Sequence, residues 1–87
     1  MLLADTLNEG TPLQEGKNVI TFDYNFNPVY ASELVQMYPE IASIAYNETG
    51  EELGFANVFG GIGDNFIISS GNTYEITTTR EVNLNLR

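Results

Sequence analysis

Four large apolar side chains, Ile20, Phe22, Tyr24 and Phe26, fall at every second position, with Thr21, Asp23 and Asn25 between them. A strand turns successive side chains to opposite faces, so this spacing gathers the four on one face. A helix would scatter them around its circumference. Residues 18–26 are therefore expected to form the central strand of a small β-rich domain, with the rest of the chain supplying its neighbours.

The remaining pattern is consistent with that frame. Residues 2–7 read as a first strand with Leu3 and Leu7 on one face, and the glycine- and proline-bearing stretch 8–16 as a connection. Asn27-Pro28 closes the second strand, because proline lacks the ladder donor. Leu34, Met37 and Tyr38 then lie three and four apart, which predicts a helix of about two turns near residues 31–38 with those three on its inner face. Glu33 sits where the positive end of the helix dipole favours it, and Pro39 ends the run. Residues 41–46 form a third strand, with Ile41, Ser43 and Ala45 on one face and Ala42, Ile44 and Tyr46 on the other. Asn47-Glu48-Thr49-Gly50 supplies a hairpin turn, and residues 51–59 the return strand. Residues 60–65 read as a mobile loop, followed by the β-like Phe66-Ile67-Ile68, a turn at 69–72 and strands at 73–79 and 82–86. The predicted fold is mainly β: one domain over residues 1–87, a compact antiparallel sandwich or partly open barrel of six or seven short strands with one short helix. Strands 2–7 and 82–86 are the expected edges.

Composition narrows the function classes. A chain of 87 residues has room for one core and is marginally stable without help. It has no cysteine and no histidine, which removes disulfides, thiolate metal sites and imidazole chemistry. Three basic residues, Lys17, Arg80 and Arg87, stand against twelve acidic ones, for a formal charge of -9. Nucleic acid needs a field of cations that these do not make. DNA mimicry needs carboxylates in dense rows, and here they are spaced out. No apolar run approaches the roughly 20 residues of a membrane span. The opening Met1-Leu2-Leu3-Ala4 lacks the charged start of a signal peptide, so an exported form would already have lost its leader.

No catalytic constellation emerges. Glu51 and Glu52 are neighbours on a strand and point to opposite faces. Gly60-Gly61-Ile62-Gly63-Asp64-Asn65 resembles a phosphate loop in glycine content, but a β-like segment follows it and the P-loop lysine is missing. Calcium is the one ion whose oxygen ligands the chain offers, around Asp64 and Asn65 or around Glu48, Glu51 and Glu52. No Asp-x-Asp-x-Asp run accompanies them, so neither a metal nor a cofactor is expected. Exposed aromatic faces stack on sugar rings; most of the five Phe and five Tyr must build the core, with Tyr30 and Tyr46 the ones expected outside. Tyr30, Tyr46, Asp64 and Asn65 are the candidate interaction residues. Asn47-Glu48-Thr49 matches the N-glycosylation sequon, which makes Asn47 a candidate acceptor in an exported protein.

The order of these segments resembles a small β-rich module of exported bacterial and archaeal surface proteins. That module opens with a Gly-Trp-Asn-Leu-Ile-Ser strand. An acidic helix-like segment ending in proline, an aromatic strand with a polar turn, a Gly-containing loop before an apolar pair, and a Pro-Gly-Lys-Gly-Tyr-Trp turn and strand follow in order. Here Gly16-Lys17-Asn18-Val19-Ile20-Thr21, residues 31–39, Ser43-Ile44-Ala45-Tyr46-Asn47 with Gly50, and residues 63–76 stand in those places. Lys17 replaces the Trp, and Glu75 replaces the aromatic after Tyr74. The resemblance implies an extracellular, non-catalytic module, usually part of something longer, and carries over no functional residues. The expected role is a non-enzymatic structural or assembly module of an extracellular or cell-surface protein, acting through β-edge and loop contacts. Its partners would be other copies or neighbouring domains, with no nucleic acid and no membrane insertion. The alternatives are a carbohydrate- or peptide-binding module and a phage or virus structural component.

Overall fold

The computed structural model describes residues 10–86. The expected first strand at 2–7 lies outside the described residues. Within them the chain runs β1 (Thr11–Leu13), β2 (Gly16–Thr21), β3 (Val29–Tyr30), α1 (Ala31–Met37), β4 (Ile41–Glu48), β5 (Glu51–Ala56), β6 (Ile62–Gly63), β7 (Ile67–Ile68), β8 (Thr73–Thr78) and β9 (Val82–Leu84). Every ladder is antiparallel: a five-stranded sheet ordered β2-β8-β4-β5-β6 and two-stranded pairs β1-β9 and β3-β7. The fold is mainly β with one short helix, as the patterning predicts, and the sheets do not close into a barrel. Among the described residues the strands outnumber the expected six or seven because β1, three residues inside the stretch expected as a connection, and the two-residue β3 and β6 are too short to show an alternation.

The strand expected at the centre lies at an edge. Among the described residues β2 pairs with β8 alone and its ladder ends at Thr21, so β4 holds the middle of the five-stranded sheet. The alternation nevertheless holds to Phe26: Phe22 is buried and Tyr24 and Phe26 half-buried, while Thr21, Asp23 and Asn25 are exposed. Period two reports which side faces the core, and a segment that has left its ladder can keep it. Phe22 stays close to the sheet through its carbonyl, which accepts Gly71 N–H at 2.8 Å. Its ring meets Tyr24 and Phe26 edge-on, with centroids 6.1 and 5.3 Å away.

β1-β2 and β8-β9 together form one ribbon that bends where Gln14 and Glu15 face Thr79, Arg80 and Glu81, one residue more on the second side. Side chains secure the corner. Asn18 accepts Gln14 N–H and donates to the carbonyls of Gln14 and Ile76, and the buried Thr78 hydroxyl donates to Gln14 O at 2.8 Å.

In β4 the ladder shifts between Ile41 and Ser43. This bulge is why Ile41 and Ile44, three apart and expected on opposite faces, are both buried. β4 also runs two residues past the expected end. The hairpin turn is Thr49-Gly50 alone, closing on the pair Glu48–Glu51.

The helix buries Ala31, Leu34 and Val35, with Tyr38 packed behind them. Met37, expected on the inner face, is half exposed; Val35 takes that side instead, because α1 lies against β3 and β4 along Ala31, Leu34, Val35 and Tyr38. Two side chains satisfy the helix start: the Glu33 carboxylate accepts Tyr30 N–H and Asn65 Oδ1 accepts Ser32 N–H, each at 2.8 Å. Tyr38 ties the other end to the chain just beyond β9, its hydroxyl accepting Asn85 N–H at 2.9 Å and donating to Asn85 O at 3.1 Å.

Candidate interaction surfaces

Two surfaces stand out, one aromatic and amide-rich, the other purely apolar. The first is built on Tyr74 of β8 and Tyr46 of the adjacent β4, which meet at a centroid distance of 4.8 Å. Phe66 lies parallel to Tyr74 at 6.2 Å, with only 5° between the rings. The buried Tyr74 hydroxyl accepts Ser69 N–H at 2.9 Å and donates to Ile67 O at 3.3 Å. One phenol therefore engages two backbone groups along β7 and its exit. Over this stack opens a groove of about 460 Å³ lined by Tyr30, Tyr46, Phe66 and Ile67 with Asn65, Ser69 and Asn72.

Three of the four candidate interaction residues, Tyr30, Tyr46 and Asn65, thus meet at one groove. Tyr30 is exposed as expected; Tyr46 is half-buried, because its ring completes the stack with Phe66 and Tyr74. Asp64 is exposed and does not line the groove; its backbone is engaged, N–H to Gly54 O at 2.8 Å and carbonyl to Phe66 N–H at 3.0 Å. Asn47 is exposed on β4, paired with Glu52 rather than placed in the turn.

The second surface follows β5. The return strand ends at Ala56 rather than at residue 59: Asn57 still bonds β4, its backbone N–H donating to Ala42 O at 2.8 Å and its side-chain amide to Ile41 O at 3.0 Å, and the chain bends away from Val58 onward. Gly61 N–H closes a turn onto Val58 O at 2.8 Å. Ile62–Gly63, inside the stretch expected to be a mobile loop, pairs with β5 as the outermost strand. Gly63 is seated so closely on the Gly54 carbonyl that a Cβ would collide with it, and a Cβ on Gly61 would come 2.5 Å from Phe55 Cζ. These contacts fix the tip, and they leave Val58 46%, Ile62 52% and Phe59 98% exposed. Phe59 also has φ +52°, a left-handed backbone that a bulky residue rarely adopts. Sequence reasoning missed this surface by taking Val58 and Phe59 as the end of a strand; the available signal was Gly60-Gly61 directly after them.

The carboxylates do not converge. Among the described residues no three Asp or Glu side chains come together to hold a metal ion. The Lys17–Glu75 contact at 3.7 Å is a surface pair between exposed groups and adds little. Among the described residues no helix is long and apolar enough to cross a membrane. Comparison with family models, curated proteins and solved structures returned no match to this chain.

Proposed function

We propose that this chain is a non-enzymatic assembly module of an exported or surface-associated protein, and that it associates through the tip between β5 and β6. Phe59 carries the reading. A phenyl ring that is 98% exposed gains nothing from the fold, and its left-handed backbone costs about 1–3 kcal/mol. Strain and apolar exposure held by a built loop support contact with a partner.

Charge favours the same place. No charged residue falls between Glu52 and Asp64, whereas the chain as a whole carries -9. Two copies repel each other over most of their surfaces, and the tip is where they approach at least cost. Salt screens that repulsion, so self-association strengthens as ionic strength rises. The edge at β6 and the chain beyond the last strand contribute less. β6 has only two residues, and the chain beyond β9 is tied at Asn85 by Tyr38. The exported setting rests on the resemblance of residues 16–21, 31–39, 43–50 and 63–76 to that surface-protein module.

The test is a dilution series followed by amide NMR at low and high salt. The expected result is concentration-dependent shifts at Val58, Phe59 and Ile62, larger at high salt, with Thr49 and Gly50 unmoved. Spectra independent of concentration at both salts would overturn the reading.

A further inference from the structure

We infer that the groove between the β3-β7 pair and the aromatic stack binds a neutral saccharide, with Tyr30 as the ring platform and the Asn65 and Asn72 amides as hydrogen-bonding groups. Tyr30 and Ile67 are register partners across β3 and β7 and are 49% and 51% exposed, so an apolar pair borders the groove on its open side. Phe66, nearly buried, lies deeper.

Each amide is half engaged, and in opposite senses. Asn65 uses its Oδ1 on Ser32 N–H, which leaves its Nδ2 as an oriented donor. Asn72 uses its Nδ2 on Ser69 Oγ at 2.9 Å and on the Tyr74 hydroxyl at 3.4 Å, which leaves its Oδ1 as an oriented acceptor. A sugar hydroxyl both donates and accepts, and the C–H face of a pyranose ring suits an aromatic surface. The groove's volume of about 460 Å³ lies within the range of small-ligand pockets, roughly 300–1,000 Å³.

Other ligand classes fit less well. No Lys or Arg lines the groove to hold an anion, and no carboxylate lines it to hold a cation. A peptide adding as a strand needs free backbone groups at a sheet edge. Here the Tyr74 hydroxyl occupies Ile67 O and Ser69 N–H on one side, and Glu33 occupies Tyr30 N–H on the other. With those groups taken, the Asn65 and Asn72 side chains supply the polar contacts of the groove.

The experiment titrates the labelled protein with cellotetraose, maltotetraose, the fully N-acetylated chitotetraose and an uncharged tetrapeptide, each up to about 50 mM. At least one saccharide is expected to give saturable shifts of the Asn65 and Asn72 side-chain amides. Tyr30→Ala should weaken that binding about tenfold, and Tyr30→Phe, which keeps the ring, should preserve it. Phe59→Asn should leave it unchanged, which separates this site from the assembly surface. No saturation with any saccharide, saturation by the peptide alone, or binding indifferent to Tyr30→Ala would overturn the inference.

Discussion

The turn before β5 and the turn after it each hold a non-glycine residue in left-handed backbone, Thr49 at φ +46° and Phe59 at +52°. In the first, geometry explains the residue. A two-residue hairpin turn of type I′ has positive φ at both positions, and Thr49-Gly50 supplies it with one small, solvated side chain. In the second, geometry explains the backbone and not the ring. Asparagine or glycine at position 59 would make the same turn, and the phenyl group is almost wholly in solvent. The surroundings differ as well: Glu48, Glu51 and Glu52 flank the first turn, whereas only uncharged residues occupy the second. Similar backbone strain near the two ends of one strand thus closes a hairpin in one case and, on the proposed reading, displays a ring in the other.

Substitutions at the two turns sharpen this contrast. Gly63→Ala should have the largest effect, because a Cβ there strikes the Gly54 carbonyl and the residue sits at φ +116°. A loss of roughly 2–4 kcal/mol in urea unfolding is expected. Gly50→Ala meets open space and suffers only from φ +85°, so its loss should be about 1 kcal/mol. A Gly63→Ala cost no larger than that of Gly50→Ala would contradict the fixed tip. Phe59→Asn relieves strain and removes the ring, so a gain of roughly 0.5–1 kcal/mol should accompany loss of association. Thr49→Asn, which creates the preferred Asn-Gly turn, should gain about 0.5 kcal/mol and leave association intact. If the two asparagine variants associate alike, the two turns do not differ in function.

The sequence made the inside of this molecule easier to read than its outside. Alternation at residues 18–26 gathered Ile20, Phe22, Tyr24 and Phe26 on one face, and that face is the buried or half-buried one, because period two survives wherever one face is buried. It could not reveal that β2 lies at an edge, since pairing partners leave no mark in a strand's own pattern. The bulge in β4 was equally invisible, so Ile41 and Ile44 were assigned to opposite faces. Helical spacing found α1 yet chose Met37 over Val35, because which stripe docks depends on the sheet beneath. Of the candidate site, Tyr30 and Asn65 were legible as an aromatic and an amide near turns. Their meeting depends on the β3-β7 pair, two residues per strand, for which no periodicity exists. The tip was hidden because Val58-Phe59 reads as strand until its φ angles are known.

The most direct measurement is molar mass by light scattering over a hundredfold concentration range, for the natural chain and for Phe59→Asn side by side at moderate salt. The account predicts that the natural chain rises from 9.6 kDa toward twice that mass with concentration, while the variant stays at the monomer value. A natural chain that stays monomeric throughout, or a variant that associates as readily, would contradict it.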